Sequence, residues 1–345
     1  MDIDILKQDI SDFVKRCTYW KQFRDKRILV TGATGLIGSI LTDSLIALEE
    51  KYDLGLSIYC NCRNKDKAQK RFDATLPFVH LVSLADLQSM KSDTTADGLH
   101  YIIHTAAPTT SSIFTQMPVE TFEGVVSLTK EVLEMSRVFN VRSLVYLSSL
   151  EMYGEIFDDT NAVTENTQGY INPLSARSSY SMGKRAAECL CYAYYSEHNI
   201  PVKIARLAQT FGAGVSESDN RVFAYIAKTA MSEGDVVLST KGDSKKNYCY
   251  TIDAVDAIFR ILLFGQNGEA YNVGNRQTYI SVKEMAELVM KNFSPKSSVI
   301  VGKGDVSCYP PSSKIKMTTE KLESLGWKPH YDLTAMYERL IAWLR

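Results

Sequence analysis

Along the first two thirds of this chain, short apolar runs bounded by polar residues alternate with stretches whose apolar residues recur every three or four positions. The runs Ile28 to Val30, Leu56 to Cys62, Val79 to Leu84, Tyr101 to Ile103, Arg142 to Ser149 and Pro201 to Leu207 read as buried strands. Between them, Leu36, Ile40, Leu41, Leu45 and Leu48 form one helical stripe, and Phe122, Val125, Val126, Thr129, Val132 and Leu133 form another within a helix from Val119 to Phe139. A third helix starts at Tyr180 and runs to about Tyr195. Strands that alternate with helices predict an α/β fold, a doubly wound parallel sheet whose ligands lie beyond the carboxyl ends of the strands. Ahead of the first strand, Ile3, Leu6, Ile10, Phe13 and Cys17 are spaced for an amphipathic helix within residues 1–24. That helix is an appendage to the core, expected to pack against it.

Composition narrows the class. With 45% hydrophobic and 23% charged residues in 345, the chain has the make-up of an ordinary soluble protein with room for one large domain and a smaller lobe. A formal net charge of −1 provides no global field for nucleic acid or an anionic membrane. The apolar stretch Ile258–Phe264 is too short to span a bilayer and contains Arg260. The opening residues lack the basic start and apolar core of a signal peptide, and seven cysteines form no disulfide framework, so a reducing cytoplasm is the expected location. Cys60-x-Cys62 and Cys189-x-Cys191 have no second pair at ligand spacing, so no metal is expected.

The first strand leads straight into Gly32-x-x-Gly35-x-x-Gly38 and then into a helix. Glycines let the backbone turn sharply against a pyrophosphate, while the helix start offers unpaired N–H groups and partial positive charge. Gly32, Thr34, Gly35, Leu36, Ile37 and Gly38 are therefore candidate dinucleotide contacts. After the second strand Cys62 stands where an acid would hold the ribose, and Arg63 follows. Arg63 suits a 2′-phosphate, which leans towards NADP, or simply opens a solvated basic run. Asp86 is a candidate neighbour of the adenine. His104, Ala106 and Ala107 follow the fourth strand, the alanines leaving space for a ligand and His104 serving as a cofactor contact or as a core histidine. Thr109 to Ser112 form a hydroxyl-rich loop fit to meet a sugar or phosphate.

Ser148, Ser149 and Glu151 arrive at the active edge of the sheet, and Tyr180-Ser-Met-Gly-Lys184 opens a helix. Spacing of four puts Tyr180 and Lys184 one turn apart on one face. An ammonium there is expected to lower the phenol's pKa from its reference near 10 and make it a usable base, with Ser149 sharing the proton.

These segments together resemble the extended short-chain dehydrogenase/reductase family, the nucleotide-sugar epimerases and dehydratases. The resemblance covers nearly everything after residue 25. It rests on Thr31 to Gly38, His104 to Ala107, Leu147 to Gly154, Tyr180 to Lys184, Ala205 to Gly212, Asp219 to Phe223, Tyr250 to Asp253 and Ala270 to Gly274. It implies a Rossmann-type domain over residues 25–205 and a smaller C-terminal substrate-binding lobe over 206–345, interleaved with the core. It also implies a nicotinamide cofactor, NAD or NADP, and a nucleotide-diphosphate sugar that is oxidised at C4. In that scheme Tyr180 is the base, Lys184 positions the ribose and tunes Tyr180, and Ser149 orients the C4 oxygen. Ser149-Leu-Glu151-Met-Tyr is similar to the Thr-x-Glu-x-Tyr run of dTDP-glucose dehydratases and UDP-glucuronate decarboxylases, whose glutamate acts on the sugar after oxidation. Gln209, Arg221 and Lys246 match substrate-phosphate positions, Lys246 replacing the decarboxylases' arginine. The family habit is a homodimer through two helices, here those from Val119 and from Tyr180, the latter carrying Ala186, Leu190, Ala193 and Tyr194. Two alternatives stand beside this reading: an NADPH-dependent ketoreductase, which Arg63 favours, and a redox-silent binding protein, which the intact Ser149, Tyr180 and Lys184 disfavour.

Overall fold

A computed structural model describes residues 4–73, 75–90, 98–107, 111–302 and 312–345. Helix α1 (Ile5–Arg16) is capped by the Asp4 side chain and followed by a 3-10 turn at Trp20–Phe23. Strand β1 (Arg27–Thr31) feeds α2 (Leu36–Tyr52), then β2 (Ser57–Asn61), α3 (Lys65–Arg71), β3 (Val79–Val82), α4 (Leu84–Met90) and β4 (Tyr101–His104). Next come α5 (Ser111–Gln116), α6 (Pro118–Phe139), β5 (Ser143–Ser149), α7 (Ser178–His198) and β6 (Val202–Leu207). The second part contains β7 (Gln209–Phe211), α8 (Val222–Met231), β8 (Val236–Leu238), β9 (Lys245–Tyr250) and α9 (Thr251–Phe264). It ends with β10 (Ala270–Val273), β11 (Asn275–Ser281), α10 (Val282–Phe293), β12 (Val299–Val301), β13 (Lys314–Ile315), α11 (Glu320–Glu323) and α12 (Leu333–Leu344).

The central sheet has seven parallel strands in the order β10-β6-β5-β4-β1-β2-β3. Strand order reverses between β1 and β4, which opens a crevice at their carboxyl ends, where ligands bind in such sheets. One face packs under α2 and α9, the other under α6 and α7. Strands β5 and β6 are buried along nearly their whole length because both faces are covered. The C-terminal part does not stand apart: β10 pairs with β6, and α9 covers β5 and β6, so the lobe is threaded back into the sheet. The lobe itself is built on β9, flanked by β11, β13 and β7, with a second small sheet of β8 and β12.

Local departures from the sequence pattern have packing reasons. The N-terminal helix stops at Arg16, because the chain turns extended at Cys17 to bury Tyr19 and Phe23 and to stack Trp20 on Tyr52 at 4.3 Å. Strand β2 ends at Asn61, whose carbonyl accepts from Ala33 N at 3.1 Å and whose amide donates to Val82 O at 3.2 Å. Asn61, not Cys62, thus occupies the strand end beside the glycine turn. Among the described residues no helix is long and apolar enough to cross a membrane.

Candidate active site

The glycine turn is packed too closely for side chains at two of its glycines. A Cβ on Gly38 would stand 2.2 Å from Gly32 O, and one on Gly32, whose φ is +67°, would stand 2.8 Å from Ala106 N and Cα. Gly32 O accepts from Gly35 N at 2.9 Å, and Gly35 caps α2 with no side chain over its N-terminal N–H groups. Thr34, Leu36 and Ile37 line this start of α2 and keep some exposure. Thr105 ties β4 to the turn by donating to Thr31 O at 2.7 Å, which sets Ala106 and Ala107 beside it. Arg63 is exposed just past β2.

His104 is buried, with Nδ1 at 2.7 Å from Thr31 Oγ1 and Nε2 at 3.2 Å from Thr129 Oγ1. Burial, reinforced by Lys184, takes its pKa down to about 3. Both ring nitrogens are engaged inside the fold, so its side chain braces the floor of the crevice and offers nothing to a ligand. Asp86 accepts from Ser83 N at 2.8 Å and closes a cap at the start of α4. Thr109 and Thr110 lie outside the described residues.

Beyond the end of β5 the chain tightens into a 3-10 turn, Leu150–Tyr153, capped by Ser149, whose hydroxyl accepts from Glu151 N at 3.3 Å. Arg185 of α7 grips that turn by donating to Met152 O, Tyr153 O and Gly169 O. Ser148 is buried on β5, and its hydroxyl has no partner within the protein. Beneath, Arg206 forms a buried pair with Glu188 at 2.7 Å and reaches Tyr153 OH at 3.0 Å, which fixes β6, α7 and the turn together.

Tyr180 and Lys184 share the inner face of α7, both buried. The expected lowering of the phenol's pKa does not occur. Burial pushes the Tyr180 phenol up, and the Glu151 charge adds to it, while hydrogen bonding with Ser149 and the cations Arg177 and Arg221 oppose the rise. Lys184 is not aimed at the phenol: its Nζ donates to Leu147 O at 2.7 Å and lies 5.7 Å from the Tyr180 ring centre. Burial brings Lys184 itself down to about 7, with Glu188 pulling the other way. In a dry site, desolvation of two potential charges outweighs their mutual attraction.

Glu151, in the turn just past β5, does not stand alone. Arg177 Nη2 lies 3.0 and 3.3 Å from its two oxygens, and Ser181 Oγ is 3.4 Å away. Lys246, half-buried on β9, feels both Glu151 and Arg177; burial draws its ammonium below the usual lysine range against the pull of Glu151. Arg221 caps α8 and is held bidentate by Asp219 at 2.6–3.1 Å, within electrostatic reach of Tyr180. Gln209 opens β7 in register with Tyr248 on the strand that carries Lys246. Ser149, Glu151, Tyr180, Arg177, Arg221 and Lys246 therefore lie around one crevice edge. No sequence motif singles out Arg177, although its place three residues before Tyr180 puts it about one helical turn from the phenol.

The profile of the NAD dependent epimerase/dehydratase family matches residues 28–274. UDP-glucuronic acid decarboxylase 5 of Arabidopsis thaliana is 28% identical over 317 residues, covering 89% of this chain and 86% of its own. UDP-glucuronic acid decarboxylase 1 of Xenopus tropicalis is 25% identical over 324 residues, covering 93% of this chain and 72% of its own. In fold, the chain is similar to the UDP-glucose 4-epimerase of Thermotoga maritima, with a TM-score of 0.78, 20% identity, and coverage of 92% and 98% of the two chains. The dTDP-glucose 4,6-dehydratase of Bacillus anthracis gives a TM-score of 0.73 at 20% identity over 92% and 96%. The chain belongs to the NAD dependent epimerase/dehydratase family.

Proposed function

We propose that this member of the NAD-dependent epimerase/dehydratase family binds a nucleoside-diphosphate uronic acid, oxidises it at C4 and removes its C5 carboxylate as CO2. The observation that carries this reading is the charge at the crevice edge. Arg177 and Lys246 act on Glu151, and Arg221, paired with Asp219, acts on the neighbouring Tyr180. A neutral sugar needs cations only for its diphosphate, which Arg221 and Lys246 serve; Arg177 beside Glu151 adds a cation next to the reacting carbons, where a uronic acid brings its carboxylate. The similarity to UDP-glucuronic acid decarboxylases supports the same choice and makes UDP-glucuronate the first substrate to test.

The turn of Gly32, Gly35 and Gly38, beside Ala106 and Ala107 and opening on the start of α2, fits a dinucleotide pyrophosphate, because Gly35 is exposed there and no side chain caps the helix N–H groups. NAD held there would supply a hydride acceptor and later donor. The protein's own groups handle the protons. Tyr180 in its phenolate form, which Ser149, Arg177 and Arg221 favour against burial and Glu151, takes the C4 hydroxyl proton as the hydride leaves, and Ser149 shares it. With C4 a ketone, the electrons of the C5–carboxylate bond flow into the C4 carbonyl as CO2 departs. C5 is then reprotonated, with Glu151 as the proton-handling group, and Tyr180 returns its proton when the hydride comes back to C4. Lys184 positions the cofactor ribose; Lys246 and Arg221 hold the diphosphate end as point charge and fork. Two copies are inferred to pair through α6 and α7.

One paired experiment tests the assignment. UDP-glucuronate is mixed with wild type, Tyr180→Phe and Glu151→Gln, each loaded with NAD, while nucleotide absorbance and released CO2 are followed. Tyr180→Phe is expected to lose 10²–10⁴-fold in hydride transfer while keeping NAD bound, within the range for a positioned general base. Glu151→Gln is expected to keep the transient reduced nucleotide and slow the later steps at C5. Unchanged turnover in Tyr180→Phe, or equal loss of both steps in Glu151→Gln, would sink the reading. Turnover of dTDP-glucose or UDP-galactose in place of UDP-glucuronate would reassign the substrate within the family.

A further inference from the structure

We propose that Arg177 is a positioning residue that couples the two acid–base groups, holding the Glu151 carboxylate on one side and, through Phe114, the Tyr180 ring on the other. The proposal rests on the functional reading above and adds to it a residue that no sequence motif singles out.

Three contacts carry it. Arg177 Nη2 reaches both oxygens of Glu151, at 3.0 and 3.3 Å. Its guanidinium carbon also lies 5.0 Å from the centre of the Phe114 ring. That ring is stacked on Tyr180 with 4.3 Å between centres and 3° between planes. Phe114 is anchored in turn, its carbonyl accepting from Ser179 Oγ at 2.9 Å, one residue before Tyr180. The start of α7 therefore carries the base, the anchor of the ring beside it and the clamp on the carboxylate. Only a planar fork with an aromatic-stacking face can do both jobs at once, which singles out arginine over lysine.

A purely structural role explains the pair poorly. The Arg177 and Glu151 side chains keep 26% and 28% of their exposure, open enough that the ion pair contributes little to folding. The pair instead faces the crevice between the end of β5 and Lys246 on β9. Its electrostatic effect falls on the phenol. Glu151 alone pushes Tyr180 towards the protonated form, and Arg177 offsets that push. The other groups facing Tyr180 are Ser149 and Tyr146 from β5, Lys184 from α7 and Arg221 at the start of α8. Of these, Ser149 touches both residues, but only through the Glu151 backbone N–H, and none reaches the Glu151 carboxylate that Arg177 holds.

The test compares Arg177→Met and Arg177→Lys in the NAD-loaded full chain with UDP-glucuronate as probe. Arg177→Met is expected to lower kcat by about 30-fold or more with KM within about threefold, and to move the pH profile of hydride transfer to higher pH. Arg177→Lys, keeping the charge without the stack, is expected to restore the pH profile but only part of kcat. A second arm needs no turnover. With ring-labelled tyrosine, the Tyr180 resonance, identified by its loss in Tyr180→Phe, carries the ring-current displacement of Phe114 and should move in Arg177→Met. A rise in KM at unchanged kcat, or equal loss in both variants with an unmoved pH profile, overturns the proposal, as does an unmoved Tyr180 resonance. If wild type turns over no nucleotide sugar, the functional reading fails, and the resonance arm alone decides the coupling.

Discussion

At the scale of single residues, the buried lysines separate function from stability. Lys184 and Lys203 are both pulled below the lysine range by burial, to about 7 and about 8. Lys184 has Glu188 within reach and a place at the crevice. Lys203, 4% exposed on β6, has only the Ser143 hydroxyl at 2.6 Å and a longer contact to Pro201 O. An ammonium held by neutral partners in the core costs folding energy. The sign follows from linkage: a lysine whose folded pKa is depressed contributes stability above its unfolded pKa, and that contribution is lost as pH falls through the folded value. For Lys203 the loss develops between pH 10.5 and about 8 and is complete at neutrality. Lys203→Met should therefore raise the unfolding free energy at pH 7 by about 2 kcal/mol, part of the ~3 kcal/mol that the shift represents. Urea titrations at pH 7 and pH 10.5 check this. The gain should shrink towards zero at the higher pH, and a variant less stable than wild type at pH 7 would refute it.

At the scale of elements, α1 is joined to the core by polar as well as apolar contacts. Its stripe of Leu6, Ile10, Phe13 and Val14 packs among α2, α9 and α12, as the helical spacing indicated. Asp9 breaks that stripe and is nevertheless fully buried. It accepts from Tyr250 OH at the end of β9, from Arg339 of α12 at 2.5 Å and from Tyr331 OH at 3.4 Å. Burial raises its pKa against all three partners, so its stabilising contribution is fully present below pH 3.8 and lost as pH rises through the folded value. Asp9→Asn keeps an acceptor for the tyrosines and should change stability by less than about 1 kcal/mol. Asp9→Ala strands Tyr250 OH and Arg339 and should cost about 2–4 kcal/mol; equal midpoints for the two in urea would disprove the account. This contrast also marks where sequence reading works. Periodicity located the strands from Arg27 to Leu207 and the long helices α2, α6 and α7 between them, but not the short α3, α4 and α5, because apolar spacing is a local property that needs several turns to show. The glycine turn and the Tyr180–Lys184 spacing were legible for the same reason. The break at Cys17, the burial of Asp9, the Arg177–Glu151 clamp and the upward shift of Tyr180 were not. Each depends on a partner or a degree of desolvation supplied by an element far away in the chain.

At the scale of the molecule, one pair of helices remains to be explained. Helices α6 and α7, of 22 and 21 residues, lie against each other over their length, Gly183 letting Phe122 and Val125 approach. Their inward faces are spent on the sheet and on each other, and Tyr194, expected on the outer stripe, instead turns in to donate to Glu134 at 2.5 Å. The residues left outside include apolar or small ones, Val119 at 62% exposed, Phe122 at 38% and Tyr192 at 57%, with exposed Gly124 and Ala193 and partly buried Ala186 and Leu190, beside the charged Glu120, Glu123, Lys130 and Glu131. Two helices of about 30 Å each offer enough length for a standard interface of roughly 1,600 Å², and small residues at Gly124, Ala186 and Ala193 allow close approach of a second pair. A two-fold arrangement would place α7, which carries Tyr180 and Lys184, between its own sheet and the partner copy. Sedimentation at 1–10 μM (order-of-magnitude concentrations suited to interfaces of this size) should find wild type as a dimer. Ala193→Arg, at an exposed helical position that tolerates a charge in the monomer, should shift the equilibrium to monomer by at least about tenfold while leaving the circular dichroism spectrum unchanged. A monomeric wild type, or an Ala193→Arg variant that still dimerises, would mean that this face of the molecule has another use.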